Sequence, residues 1–128
     1  MRRIYCLSVL LLIACQSADD TKPRAISPTD AAKKVGQNLV VEMEVKSVGR
    51  GKSGVYFLNS EPDFRTEGNF TLFIDKATAA KFKNAGISDP AEHFKDKKVR
   101  ATGKVKLYRD LPEIAIEEPK QIELVEQK

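Results

Sequence analysis

Gly49-Arg50-Gly51-Lys52-Ser53-Gly54 satisfies the spacing G-x-G-x-x-G, with which a backbone can cradle a pyrophosphate. That chemistry needs a helix directly after the glycines, so that its N-terminus can receive the anion. Here Val55-Tyr56-Phe57-Leu58 follows, which reads as strand. Gly51-Lys52-Ser53 also matches the end of a P-loop, but the position of that motif's first glycine is held by Lys46. The segment therefore reads as a loop between two strands, carrying two cations. His93 is the sole histidine, with Glu92, Asp89 and Asp96 near it in sequence. A zinc site needs three or four convergent ligands, and neither a second histidine nor a usable cysteine exists, so no metal and no cofactor are expected. His93 reads as a surface helix residue. No serine carries a nucleophile-elbow sequence, and the carboxylate pairs Glu42/Glu44 and Glu117/Glu118 show no sign of a shifted environment. The expectation is a protein without catalysis.

The remaining chemistry-bearing residue is Cys15. It follows Leu12-Ile13-Ala14, and the chain opens Met1-Arg2-Arg3 before an apolar run from Ile4 broken only by Cys6 and Ser8. A charged start and a short apolar stretch are the parts of a secretory signal, and Leu-Ile-Ala-Cys is similar to a bacterial lipobox. In that motif cleavage precedes the cysteine, which then carries the lipid. Polar Gln16, Ser17, Asp19 and Asp20 arrive too soon for a span of about 20 apolar residues. Arg2-Arg3 fits a twin-arginine signal poorly. The expected organisation is a signal peptide over 1–14, a lipidated tether over 15–26 and one folded domain over 27–128. Cys15 would then hold the chain to a membrane of the bacterial cell envelope, on the periplasmic face or at the outer membrane, through palmitate-type acylation. Removing Arg2 and Arg3 lowers the formal net charge from +4 to +2, since the leader holds no acid. Both cysteines would be lost to thiol chemistry, so the domain must be stable without disulfides.

What remains is a binding surface and the elements that must hold it. Ser27-Pro28-Thr29-Asp30 reads as a helix start stopped at Gly36. Leu39, Val41, Met43 and Val45 alternate with Glu42, Glu44 and Lys46 as a first strand. Residues 55–59 and 70–74 read as strands two and three, joined through turn residues at 63–69. Asp75 and Asp89 each cap a helix, the first ended by Gly86. Val99, Ala101, Gly103, Val105 and Leu107 form a long fourth strand whose central glycine marks a sharp bend. Ile114 and Ile116 belong to a fifth, after a turn at Arg109-Asp110-Leu111, and residues 121–125 add a last extended piece.

Three strands, a helical crossover and two strands give an all-β chain with short helices: a five-stranded OB-fold Greek-key barrel with a helix between strands three and four. The run Lys98-Val99-Arg100-Ala101-Thr102-Gly103-Lys104-Val105, with Tyr108, Pro112-Glu113-Ile114 and Gln121-Ile122, resembles the closing half of bacterial OB domains of the tRNA-anticodon-binding-like superfamily. Val35-Gly36-Gln37-Asn38-Leu39-Val40-Val41 resembles their opening. The resemblance spans about 31–125 and implies an OB binding face with a nucleic-acid-binding habit; it assigns no individual site residue.

OB faces bind oligonucleotides and oligosaccharides over strands two and three, stacking bases on aromatics along a basic groove. The parts expected to serve are Tyr56, Arg65, Phe73, Lys104, Lys106, Tyr108 and Arg109, with Arg50 and Lys52 nearby. A competing use exists for the lysines: strands one and four are neighbours in such a barrel, so Arg100, Lys104 and Lys106 could answer Glu42 and Glu44. Which phase of strand two faces inward is not decided by its sequence. Two partner classes follow. The first is a protein or glycan in the envelope, which the compartment and modest charge favour; the second is single-stranded nucleic acid, which the fold favours.

Overall fold

A computed structural model describes residues 24–125; the signal segment, Cys15 and most of the expected tether lie outside the described residues. In chain order the elements are β1 (Ala25–Ile26), α1 (Pro28–Ala32), β2 (Asn38–Glu44), β3 (Ser47–Arg50), β4 (Tyr56–Asn59), β5 (Thr71–Ile74), α2 (Lys76–Asn84), α3 (Pro90–Phe94), β6 (Lys98–Tyr108), β7 (Leu111–Ile116), a 3-10 turn (Pro119–Gln121) and β8 (Ile122–Leu124). No described helix is long and apolar enough to cross a membrane.

The architecture is mostly β with short helices and is OB-like, but the expected closed barrel of five strands is corrected. Eight strands make the sheet: seven form one open path, β1-β2-β6-β7-β5-β4-β3, and β8 is added beside β6. The physical reason lies in the first expected strand. Up to Val45 it bonds to the β6 side, where Val45 N–H donates to the Lys97 carbonyl at 2.8 Å. One residue later Lys46 N–H donates to the Asn59 carbonyl of β4 at 2.9 Å. A single extended run thus changes partner and becomes β2 and β3. The other additions are two short pieces that pair at their ends: β1 runs parallel to β2 (Ala25 beside Val40), and β8 runs antiparallel to β6 (Ile122 beside Ala101).

The alternation of the sequence decides what each strand buries. Val41, Met43 and Val45 point inward from β2 and its continuation, and meet Val99 and Ala101 of β6 in the core. Gly103 is the expected close approach: a Cβ there would lie 2.6 Å from Ile114 Cγ2, which itself is fully buried. Only a hydrogen fits that space, so β6 can curl over β7 there.

Both helices of the crossover begin as the sequence implies. Asp75 accepts from Thr78 N–H at 2.7 Å, and Asp89 accepts from Ala91 and Glu92 N–H. Gly86 ends α2 with φ +91, and Ile87 N–H returns to the Phe82 carbonyl at 2.8 Å. Phe82 and Phe94, both buried, meet edge to face at 6.0 Å and fix the two helices on the core. Ser27 caps α1 through Asp30 N–H, though the helix itself stops at Ala32, short of Gly36.

The β6–β7 connection is a two-residue turn in which Arg109 and Asp110 have φ of 50 and 64. Two successive left-handed residues match the twist of a hairpin. Neither is glycine, so the turn costs about 1–2 kcal/mol per residue that the hairpin must offset.

Candidate functional site

Strand register sorts the side chains of the β3-β4-β5-β7 half onto two faces. Tyr56 lies opposite Ile74, and Leu58 opposite Leu72, with Leu58, Leu72 and Ile74 in the core. Those residues are inward, which settles the phase of β4. Phe57 opposite Phe73, and Asn59 opposite Thr71, therefore face outward. The outward rows continue: Ser47 lies beside Asn59, Thr71 beside Glu113, and Glu113 beside Lys106. A polar row crosses five strands next to an aromatic pair.

This outward face is the floor of a groove of about 720 Å³. One wall comes from residues 62–65 of the β4–β5 connection, and the other from Tyr108, Arg109 and the start of β7. Each wall carries an exposed aromatic with an arginine over its ring. Arg65 lies 5.8 Å from the centroid of Phe64, and Arg109 lies 5.4 Å from that of Tyr108. Phe64 is 52% and Tyr108 55% exposed, so both present apolar surface at the mouth.

The floor is held by a chain of hydrogen bonds whose direction is set from Glu61 as far as Thr71. Glu61 N–H can only donate, and it donates to Asn69 Oδ1 at 3.1 Å. Asn69 Nδ2 must then be the end that donates to Thr71 Oγ1, at 3.1 Å. The Thr71 hydroxyl, having accepted, donates onward to Asn59 Oδ1 at 2.9 Å. Asn59, Asn69 and Thr71 are all buried, where unmade hydrogen bonds are costly. Beside them Ser60 Oγ accepts from Phe70 N–H at 2.8 Å. Asn69 is thus spent inside the fold.

Charge in the groove is mixed. Arg65 is bound to Asp63 at 3.1 Å and Arg50 to Asp89 at 2.6 Å, both at solvent-exposed positions. Each pairing holds its carboxyl below the ordinary aspartate range, chiefly through the side-chain hydrogen bond. Burial pushes the Glu113 carboxyl up, against the opposing pull of Lys106. As pH falls toward that raised value the groove sheds negative charge, and Lys106 is left unopposed.

The expected site residues divide accordingly. Arg65, Tyr108 and Arg109 line the groove. Phe73 lies on the same face and packs its ring on Phe57 at 5.4 Å. Lys106 belongs to the polar row. Tyr56 is turned inward against the core and cannot stack a ligand on this face. Lys104 sits opposite Asn38, away from the groove. The anticipated charge ladder between strands one and four holds only at its start: Glu42 meets Lys98 at 3.5 Å and Arg100 at 3.6 Å. Lys104 lies opposite Asn38 and Lys106 opposite Glu113, because β2 begins only at Asn38 and does not run alongside Lys106. Sequence reasoning missed Phe57, Asn59, Phe64, Thr71 and Glu113; the phase of β4 was the signal for Phe57, Asn59 and their register partners, while Phe64 stands in a loop beside Arg65.

The G-x-G-x-x-G segment is a hairpin loop: Gly51 N–H donates to the Val55 carbonyl at 2.9 Å, and β4 follows. His93 is exposed on α3 with its ring against Phe94 at 4.7 Å. Among the described residues no group of three His, Cys, Asp or Glu is placed to hold a metal.

No protein-family model matches the chain, and no curated protein matches it. Solved structures do. A putative aspartyl-tRNA synthetase from Leishmania major Friedlin superposes with a TM-score of 0.56 at 12% identity over 88% of this chain. The aspartyl tRNA synthetase from Entamoeba histolytica gives 0.54 at 16% identity over 87%. The OBody AM1L10 bound to hen egg-white lysozyme gives 0.54 at 18% identity over 80% of this chain and 93% of its own. The chain shares their fold. It spans only 22% and 23% of the two synthetase chains, so the likeness concerns one domain of each.

Proposed function

We propose that the groove over β3, β4, β5 and β7 binds single-stranded nucleic acid, as a non-catalytic module. The observation that carries this reading is outward Phe57, braced by the Phe73 ring and set beside polar groups, in a groove whose mouth holds Tyr108 with Arg109. A flat aromatic platform with hydrogen-bonding groups alongside suits a base, and the cations at the rim suit its phosphates. The synthetase neighbours act on tRNA by their names, which agrees in kind of ligand. The hydroxyls in the groove support binding over catalysis. Ser47 donates to the Glu61 carbonyl at 2.7 Å and Thr71 to Asn59, so neither is joined to a general base.

A salt titration of oligonucleotide binding tests the reading. Arg50 and Arg65 are already paired, so Arg109 and Lys106 carry most of the phosphate contact. Two or three neutralised phosphates give a log–log salt slope of about −1.4 to −2 for a single strand. Micromolar binding with that slope is the expected result, and absence of binding at low salt would sink the proposal.

A protein partner is the second reading, and it has an observation of its own. The OBody of the same fold is bound to a protein, and Phe64 and Tyr108 flanked by arginines are residue types that dominate protein interfaces. Docking of that kind would depend only weakly on salt.

We further propose that Cys15 is lipidated and holds the domain at a bacterial envelope membrane. The support is Leu12-Ile13-Ala14-Cys15 behind a charged and apolar leader. Cys15→Ser should abolish palmitate labelling and move the protein from the membrane to the soluble fraction. Unchanged membrane association would count against it.

A further inference from the structure

Among the described residues every buried side-chain nitrogen and oxygen has a partner, so the groove's unspent polar capacity lies where solvent reaches. Two carboxylates line the groove, Asp63 and Glu113. Asp63 is committed: its oxygens accept from the Arg65 backbone N–H at 2.9 Å and from two guanidinium donors at 3.1 Å. Glu113 is not. It sits half-buried between Thr71 of β5 and Lys106 of β6, and no hydrogen bond acts on its carboxyl. The other charged or titratable groups around the groove are Tyr108 and Arg109 on one wall, Asp63 with Arg65 on the other, and Arg50 of β3, tied to Asp89. Thr71, from β5, does not titrate. Of all these Lys106 alone pulls on the Glu113 carboxyl, and burial outweighs that pull and drives it up. Asp63 is held down by Arg65, so it stays ionised when Glu113 takes a proton.

We infer that Glu113 is the acid switch of the groove: ionised, it opposes the phosphates of a strand lying over Phe57, and protonated, it admits that strand. The inference rests on the nucleic-acid reading above. A carboxylate among the cations that receive a polyanion weakens their attraction at close range. Protonation removes that charge, frees Lys106 for a phosphate and turns Glu113 into a hydrogen-bond donor. Binding therefore takes up a proton, and by linkage it strengthens as pH falls.

The experiment follows oligo(dT) affinity from about pH 8 to about pH 4.5, the range in which a raised glutamate titrates, for the parent, Glu113→Gln and Lys106→Gln. Neither the bases nor the phosphodiesters of oligo(dT) titrate there. Parent binding should tighten by roughly three- to tenfold on acidification, and Glu113→Gln should bind at the tight, acid level throughout. His93 is present in both proteins, so its titration cancels in the comparison. Lys106→Gln should bind more weakly at every pH, with its transition moved upward because the opposing cation is gone. Urea unfolding gives a readout without ligand. A carboxyl that holds its proton more tightly in the fold destabilises the fold as it ionises, so Glu113→Gln should raise the midpoint near neutral pH and lose that advantage in acid. Should Glu113→Gln fail to fold, Lys106→Gln decides. Failure of the parent to bind at any pH would overturn the functional reading and this inference with it. Binding with the same pH profile in the parent and the folded variants would overturn the inference alone, and so would an unchanged midpoint of Glu113→Gln at neutral pH.

Discussion

Phe57→Ala should weaken oligonucleotide binding by roughly 10- to 100-fold without unfolding the domain. Stacking of a base on an aromatic side chain is worth about 1–3 kcal/mol, and Phe57 is the aromatic of the groove floor itself, outward on β4 and lining the cleft. Its ring is braced by Phe73, tilted by 44° at 5.4 Å, so the platform is held before the ligand arrives. The matching control is Tyr56→Phe. Tyr56 neighbours Phe57 in sequence but faces the core, and removing its hydroxyl should leave affinity as it was. Fluorescence anisotropy with a labelled oligonucleotide checks both. Equal affinities for the parent and a folded Phe57→Ala would remove the platform from the mechanism.

The second large effect is on stability. Phe70→Ala should cost about 3–5 kcal/mol, the usual loss for a fully buried phenylalanine. Phe70 is fully enclosed in the core. A domain of this size has a total stability of about 5–15 kcal/mol, so a urea unfolding midpoint should fall sharply, and a loss below about 1 kcal/mol would contradict the packing described. The site should suffer too. Asn69 and Thr71 flank Phe70, and their bonds orient Asn59. The ring that fills the core also fixes the spacing of the two residues that set the groove's polarity.

Much of the fold could be read directly from residue order. Leu39, Val41 and Met43 alternating with Glu42 and Glu44 give β2 its inner face, and Asp75 and Asp89 make the cap bonds their positions imply. Gly103 stands where two strands crowd. Local signals suffice for these because each is decided within a few residues. The change of partner at Val45 and Lys46 is not local. Nothing in those two residues breaks an extended chain, and the switch exists only because β6 and β4 are there to receive them. The site was legible in part for a related reason. Tyr56-Phe57-Leu58 is apolar on both faces, so alternation could not say which ring faces out. Tyr56 and Phe57 exchange roles once Leu58 is fixed opposite Leu72. Arg65, Tyr108 and Arg109 needed no phase, since they stand in a loop, at a strand end and in a turn.

Arg24 lies at the start of the described chain and lines a second cleft, with Val40, Arg100, Lys120 and others, that shares no residue with the first. The polypeptide preceding β1 thus joins the domain at a place separate from the ligand groove. A tag, a linker or a bilayer attached upstream has no need to compete with whatever occupies Phe57 and Asn59. If the groove binds as proposed, immobilising the domain through its N-terminal side should leave that binding in working order.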